Sequence, residues 1–472
     1  MTPSTKRAVD AVLLPGFVGT TLPGWVADRL RGGLAGVCLY GENVVSAAQL
    51  AALVAEIRAV KPDALVAIDE EGGDVTRVHY LDGSPYPGAA LLGRLDDVGL
   101  TAAVGAAVAG ELRGIGVDLN LAPVADVNSD PRNPVIGVRS FGADPALAAR
   151  HVAAFTTAHE HAGVATSVKH FPGHGDTAAD SHLALPVVDV GLDVLRARDL
   201  PPFRAAIDAG ARTVMTSHIL LPQIDPSGPA TFSSRILGDL LRRELGFEGV
   251  IISDALDMAG AAEFPSPDGA TGIPAAAARA LAAGCDLLCL GTGGSPAQLD
   301  AIAEAVADVD PARLADASSR VASLVASLRS APVDVEALDL DAARLVAGFA
   351  VAEGATPAPD ATLVAVETTA NIAVGVAPWG PAAAGADVRT IRAGEPLPAD
   401  LAPEATVILV AKDVHRHPEV AALADVVRAT RPGSLVIDMG WPSGPVDVAT
   451  YGGSRGVGAA LLHWLRTGGW RG

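Results

Sequence analysis

Val164 to His182 reads V-A-T-S-V-K-H-F-P-G-H-G-D-T-A-A-D-S-H. The first five residues are short and apolar with two valines, as a buried strand requires. The rest cannot continue that strand, because Pro172, Gly173 and Gly175 break it. A polar cluster therefore hangs from the end of a buried element: His170, His174 and His182, with Lys169, Asp176 and Asp180. Loops carried on a rigid scaffold are where chemistry usually sits.

The same unit recurs on both sides of this stretch. Strand-like runs are expected at Ala11–Leu14, Gly36–Tyr40, Leu65–Ile68, Val117–Leu121, Ala165–Val168, Thr213–Thr216, Val250–Ser253 and Leu287–Leu290. Helical stretches separate or follow them at Leu22–Arg31, Ala47–Val60, Ala102–Arg113, Pro145–His161, Leu192–Ala209, Ser234–Glu244, Pro274–Ala283 and Pro296–Asp308. Strands alternating with helices imply βαβ units and a parallel sheet. Eight such units over ~300 residues predict a (β/α)8 TIM-like barrel, an α/β fold. An open doubly wound sheet also has polar strand ends, but it gathers its ligand at one switch point. Here polar or glycine residues end nearly every run, which favours the barrel.

The barrel is expected to occupy residues 1–330. Pro332 and the A-T-P-A-P segment at 355–359 mark residues 331–361 as a linker. Residues 362–472 then read as a smaller C-terminal α/β sandwich domain. Its strands are expected at Leu363–Val366, Ile372–Val376, Val388–Ile391, Val407–Val410 and Leu435–Met439, with helices near Glu419–Ala429 and Gly456–Arg466. The loop Gly452-Gly453-Ser454-Arg455-Gly456 comes close to a phosphate-binding turn, but no clear strand precedes it and it lacks a P-loop lysine.

Half of the 472 residues are apolar and the net charge is −20. Such an acidic chain repels nucleic acid and anionic lipid, so both are excluded as partners. No uncharged apolar span of membrane length and no signal-peptide pattern is apparent, so a cytoplasmic location is expected. Cys38, Cys285 and Cys289 show no CxxC spacing and read as core residues.

Three groups carry candidate chemistry. Asp254 ends the Ile251-Ile252-Ser253 run, where a carboxylate can be a nucleophile, a base, a ligand or a helix N-cap. In Asp180-Ser181-His182 the carboxylate can take one ring N–H and leave the other nitrogen for proton transfer. His170, His174 and Asp176 could instead suggest a metal site with His182, but no metal-site spacing motif is present and Lys169 opposes a cation, so no metal is expected. Asp69 and Arg77, in D-E-E-G-G-D-V-T-R, suit a clamp on adjacent hydroxyls, or else a plain salt bridge. Arg139 sits on the loop N-P-V-I-G-V-R-S-F-G, and alone says little. Together these groups suit displacement at a sugar carbon, although the second glutamate of a two-carboxylate retaining glycosidase is not obvious.

Over about residues 9–330 the sequence resembles glycoside hydrolase family 3, and within it the β-N-acetylglucosaminidases of the NagZ type. The strings at Lys169–His182, Asp69–Arg77, Ala122–Val127, Asn133–Gly142 and Ile252–Met258 carry the resemblance, in the family's order. It implies a retaining exo-acting hydrolase that releases terminal β-linked GlcNAc, expected from cell-wall muropeptides. Asp254 would be the nucleophile and His182 the general acid/base, oriented by Asp180. Asp69, Arg77, Arg139, Lys169 and His170 would bind the sugar, and no cofactor is needed. Lys169 and Arg139 are expected to keep the Asp254 pKa low. Because His182 is neutral as a base, phosphate could replace water as acceptor. A phosphorylase, a β-glucosidase and, more remotely, a non-catalytic sugar-binding protein are the alternatives. Glu70 stands where relatives often carry Gln.

Overall fold

The computed structural model describes residues 3–328, 338–369 and 371–468. Eight short strands follow in chain order: β1 (Leu13–Pro15), β2 (Gly36–Leu39), β3 (Leu65–Ile68), β4 (Leu119–Asn120), β5 (Ala165–Phe171), β6 (Thr213–Thr216), β7 (Val250–Ile252) and β8 (Leu288–Leu290). Strands β2 to β7 form one parallel sheet in sequential order, and β1 pairs with β8 in parallel. The ring closes through a parallel bridge between Ile252 and Leu287 and through the Ala35 amide, which donates to the Asp10 carbonyl. This is a (β/α)8 barrel.

Its strands are buried on both faces, yet they still alternate. Leu14, Cys38, Leu65, Ala67 and Cys289 fill the barrel interior, while Leu13, Val37, Val66 and Leu288 face the helices. The helix Pro311–Ser327 adds Val321 and Leu324 to the interior cluster. The expected helix over 192–209 is two helices, Leu192–Arg198 and Leu200–Asp208. Pro201 and Pro202 account for the break, since each lacks the amide that would bond back into the preceding turn. Among the described residues one helix, Val98–Ile115, is long and apolar enough to cross a membrane, but half of it is buried within the molecule.

The second sheet runs β11-β10-β12-β13-β14-β9. Its strands are β9 (Ala350–Val351), β10 (Thr362–Glu367), β11 (Arg389–Arg392), β12 (Val407–Ala411), β13 (Leu435–Asp438) and β14 (Val448–Ala449). All pairings are parallel except β14 with β9. Helix Pro418–Thr430 packs Val420, Ala424 and Val427 on one face, and helix Arg455–Thr467 packs Val457, Leu461 and Trp464 on the other.

Two expectations are corrected here. The segment 331–361 is not simply a linker: it holds the short helix Ala342–Val346 and β9, the edge strand of the second sheet, while its residues 331–337 lie outside the described ones. Residues Ile372–Val376 form turns, not a strand. Their β-branched alternation reads as extended, but Asn371 overrides it. Its Oδ1 accepts from the Ala373 amide at 2.9 Å, and its carbonyl accepts from Val374 and Gly375 at 3.0 Å.

The two domains share a core. Leu91, from the barrel helix Ala89–Leu95, lies in the same cluster as Val346, Ile437 and Trp464. Polar contacts lock this junction. Asp74 accepts from Lys412 Nζ at 2.6 Å and from the Gly453 amide at 2.7 Å, and Ser454 Oγ donates to the Tyr86 carbonyl at 2.7 Å. The 452–456 loop is therefore occupied with barrel backbone and side chains.

Candidate active site

The C-terminal ends of the barrel strands meet in a cavity of about 240 Å3. Asp69, Arg77, Arg139, Lys169, His170, His182 and Asp254 all line it. Asp180 lies behind His182, on the lining of a larger cleft of about 900 Å3 between the barrel and the second domain.

Asp69 follows β3 and accepts from Lys169 Nζ at 2.6 Å. Of the two readings of Asp69 and Arg77, a hydroxyl clamp or a plain salt bridge, the second is not what the described residues show: Asp69 pairs with Lys169, and Arg77 donates to the Thr76 and Ala373 carbonyls. Lys169 also lies 2.8 Å from Glu71 Oε1. Burial works against the Lys169 charge, but Asp69 and Glu71 more than offset it and hold the ammonium above its usual pKa. The Lys169–His170 peptide is cis, and both side chains line the cavity.

Arg139 is not a solvated loop arginine. It is buried, and its Nε and Nη2 donate to Glu71 at 2.9 and 2.7 Å. Burial opposes the Glu71 charge, but Arg139 and Lys169 hold its carboxyl far below the usual carboxylate range. Arg139 Nη2 also lies 3.4 Å from His170 Nε2. His170 Nδ1 donates to Asp126 Oδ2 at 2.7 Å. Asp126 Oδ1 accepts from the His174 amide at 2.7 Å and so anchors the turn after β5.

The Pro-Gly-His-Gly turn lies tight on its neighbours. A Cβ at Gly175 would collide with the Val127 carbonyl. Beyond the turn, Asp180 Oδ1 sits 2.6 Å from His182 Nδ1 and accepts from the His182 amide at 2.9 Å. Burial raises the Asp180 pKa, but the two bonds from His182 outweigh it and hold the carboxyl below its ordinary value. The ring is thus held by Nδ1, with Nε2 available to a ligand. The Ser181 carbonyl accepts from the Gly260 amide at 3.2 Å, tying this loop to the segment after Asp254.

Asp254 follows β7. It does not cap a helix, because the next helix, Ala259–Ala262, begins after Met258. Its Oδ1 accepts from the Ala255 amide at 2.7 Å. Burial opposes its ionisation, but His218, His170 and His182, with the Ala255 amide, hold its carboxyl below the usual value. The cations expected for this task, Lys169 and Arg139, are instead engaged by Asp69 and Glu71.

Sequence reasoning missed Glu71, Asp126 and His218. Glu71 was within a quoted motif, but nothing marked it as the partner of both cations. Asp176, part of the metal alternative, pairs with Arg198 at 2.7 Å. Among the described residues, no group of three or more His, Cys, Asp or Glu side chains is placed to hold a metal.

The fold and the site define a class: a (β/α)8 barrel with a strand-end carboxylate, a His–Asp pair on the neighbouring loop, and a buried cation–carboxylate cluster suited to hydroxyl groups. Residues 23–324 match the glycosyl hydrolase family 3 N-terminal domain. The β-hexosaminidase A of Pseudoalteromonas piscicida is 39% identical over 275 residues, 53% of this chain and 46% of that protein, so the chain spans about half the length of that relative. The β-hexosaminidase of Methylococcus capsulatus is 43% identical over 255 residues, 54% of this chain and 74% of that protein. The solved family 3 β-N-acetylglucosaminidase from Paenibacillus sp. str. FPU-7 aligns with a TM-score of 0.81 at 28% identity, covering 98% of this chain and 96% of that one. The chain belongs to glycoside hydrolase family 3.

Proposed function

We propose that this chain is a retaining, exo-acting β-N-acetylglucosaminidase that removes terminal GlcNAc from cell-wall fragments in the cytoplasm. The observation that carries the reading is the Asp180–His182 pair, 2.6 Å apart, with the His182 ring lining the same cavity as Asp254.

In this reading Asp254 attacks the anomeric carbon, and the bond to the leaving oxygen breaks as His182 Nε2 gives it a proton. A glycosyl-Asp254 ester forms, and the Asp180 carboxylate stabilises the imidazolium until transfer. Neutral His182 then takes a proton from water as the water attacks the same carbon. The product keeps its configuration and Asp254 is released as carboxylate. Lys169, Arg139 and Arg77 supply donors to the ring hydroxyls, and Asp69 supplies an acceptor. The cavity is of single-sugar scale, which supports removal of one terminal residue.

The test is product identity. Aryl β-GlcNAc should be cleaved far faster than aryl β-glucoside, with GlcNAc as product both in phosphate and in a non-phosphate buffer. Sugar 1-phosphate formed only in phosphate would make the enzyme a phosphorylase. A preference for the glucoside would make it a β-glucosidase.

A further inference from the structure

Among the described residues, the second domain reaches into the catalytic cavity at one place, the turn Asn371–Gly375. Ile372 and Ala373 line the cavity alongside the barrel residues. Asn371 Nδ2 donates to the Pro134 and Val135 carbonyls at 2.9 and 3.2 Å. The Val135 carbonyl also accepts from Arg139 Nη1 at 3.1 Å. Two residues further along this turn, the Ala373 carbonyl accepts from Arg77 Nη2 at 2.7 Å.

The network continues into the barrel. Asn133 Oδ1 accepts from the Val135 and Ile136 amides at 3.0 and 2.8 Å. Asn133 Nδ2 donates to the His174 carbonyl at 2.8 Å, and His174 Nε2 lies 3.1 Å from Ser181 Oγ. Ser181 stands between Asp180 and His182.

We propose that Asn371 is a positioning residue for the sugar pocket: through its side-chain amide and its turn, the second domain braces Arg77 and the 133–139 loop that carries Arg139. This rests on the β-N-acetylglucosaminidase reading given above. An arginine has many rotamers, and both arginines must present their donors in one arrangement before the sugar arrives. Two backbone carbonyls, Val135 and Ala373, fix one end of each guanidinium, and Asn371 sets both. It donates to the first directly, and its Oδ1 caps the turn that presents the second. The barrel is thereby pre-organised for binding, which lowers the ordering cost at the moment the ligand enters.

The two halves of the Asn371 amide separate this role from a merely structural one. Asn371→Asp keeps the oxygen that accepts from Ala373 N but removes the donor to Pro134 and Val135. Asn371→Ser keeps a short acceptor and lacks the reach. In the full-length protein, both variants are expected to melt close to wild type. Each should raise KM for aryl β-GlcNAc roughly five- to tenfold, the scale of one lost hydrogen bond, with kcat changed by less than about twofold. Amide hydrogen exchange over residues 133–139 should quicken in both, a readout that does not depend on turnover. A wild-type KM together with unchanged exchange in Asn371→Asp would overturn the brace. If wild type itself leaves aryl β-GlcNAc uncleaved, the activity reading fails, and exchange over 133–139 alone decides the brace.

Discussion

Glu71 grips Arg139 through two parallel hydrogen bonds, Nε to Oε2 at 2.9 Å and Nη2 to Oε1 at 2.7 Å, and it takes Lys169 Nζ at 2.8 Å on Oε1. One buried carboxylate thus balances two of the cations in the pocket. Removing it would leave both under-compensated. Glu71→Gln is expected to destabilise the fold by about 3–5 kcal/mol, the usual scale for breaking a buried ion pair. KM should rise along with it. Denaturant unfolding of the variant beside wild type measures the first, and a loss under about 1 kcal/mol would show that the cluster is not held by Glu71.

The nucleophile assignment is tested at Asp254. Asp254→Asn keeps the shape of the side chain and removes the carboxylate charge that the proposed attack requires. Release of aryl alcohol should fall by on the order of 10⁴-fold or more, as when other covalent nucleophiles are deleted. The fold should persist, since Asp254 pairs with no arginine or lysine among the described residues. Retention of more than a few per cent of wild-type kcat would place the nucleophile elsewhere.

His182→Ala separates the two chemical steps. An activated aryl leaving group needs little protonation, so the first step should survive while the second, lacking its base, slows. Glycosyl-enzyme should then accumulate, visible as a burst of phenol and an added GlcNAc mass on intact protein. Poor leaving groups should lose ~10²–10⁴ in rate. Equal losses on both substrates, without a burst, would remove His182 from the acid/base role. Asp180→Asn should follow the same pattern more weakly, because the ring remains but its orientation and charge balance are lost.

The Asp180 carboxyl also makes a pH statement. Its folded pKa is depressed below the unfolded value, so the stability it contributes is fully present above the unfolded pKa of ~3.9. That contribution is lost as pH falls through the lower folded value. Asp180→Asn should therefore flatten the acid side of the stability profile below about pH 4 and leave the neutral side parallel to wild type. Thermal melts between pH 3 and pH 7 check this, and an unchanged acid slope would show that the pair contributes no linkage.

The barrel was legible because its strands carry their own punctuation. Leu65–Ile68 and Thr213–Thr216 match the observed bounds residue for residue, since each run meets a polar stop, Asp69 or Ser217, at its C-terminal end. The motif residues were legible as a set, and so was the local Asp180–His182 pair, but the pairings between distant motifs were not. Asp69 and Arg77 are eight residues apart and read as partners, whereas Lys169, on β5, meets Asp69, at the end of β3, only because the closed ring turns both strand ends into one cavity across β4. Glu71 and Asp126 were hidden for the same reason: their partners are distant in sequence and nothing local marks them. Ile372–Val376 misled in the opposite sense, because a local alternation was overridden by one asparagine cap. β9 has two residues and gains its strand character only from β14.

Glu70 offers a test with a sign opposite to that of Asp180. It is buried, and its Oε2 accepts from the Arg77 and Val78 amides at 2.7 and 2.8 Å and from Thr76 Oγ1 at 3.0 Å, which shapes the turn leading to Arg77. Its Oε1 is buried without a hydrogen-bond partner among the described residues. Burial dominates, so the folded pKa is raised. A raised carboxyl pKa means that the folded state holds its proton longer than the unfolded state. Stability at this site is then fully present below the unfolded pKa of ~4.3 and is lost as pH climbs through the folded value. Glu70→Gln keeps an acceptor oxygen for the three donors and removes the titration. It should match wild type near pH 4 and melt higher than wild type at pH 7 to 8, with KM for the aryl glycoside little changed. If instead the variant is less stable at neutral pH, the three donors need the full charge of the carboxylate, and burial is not what governs Glu70.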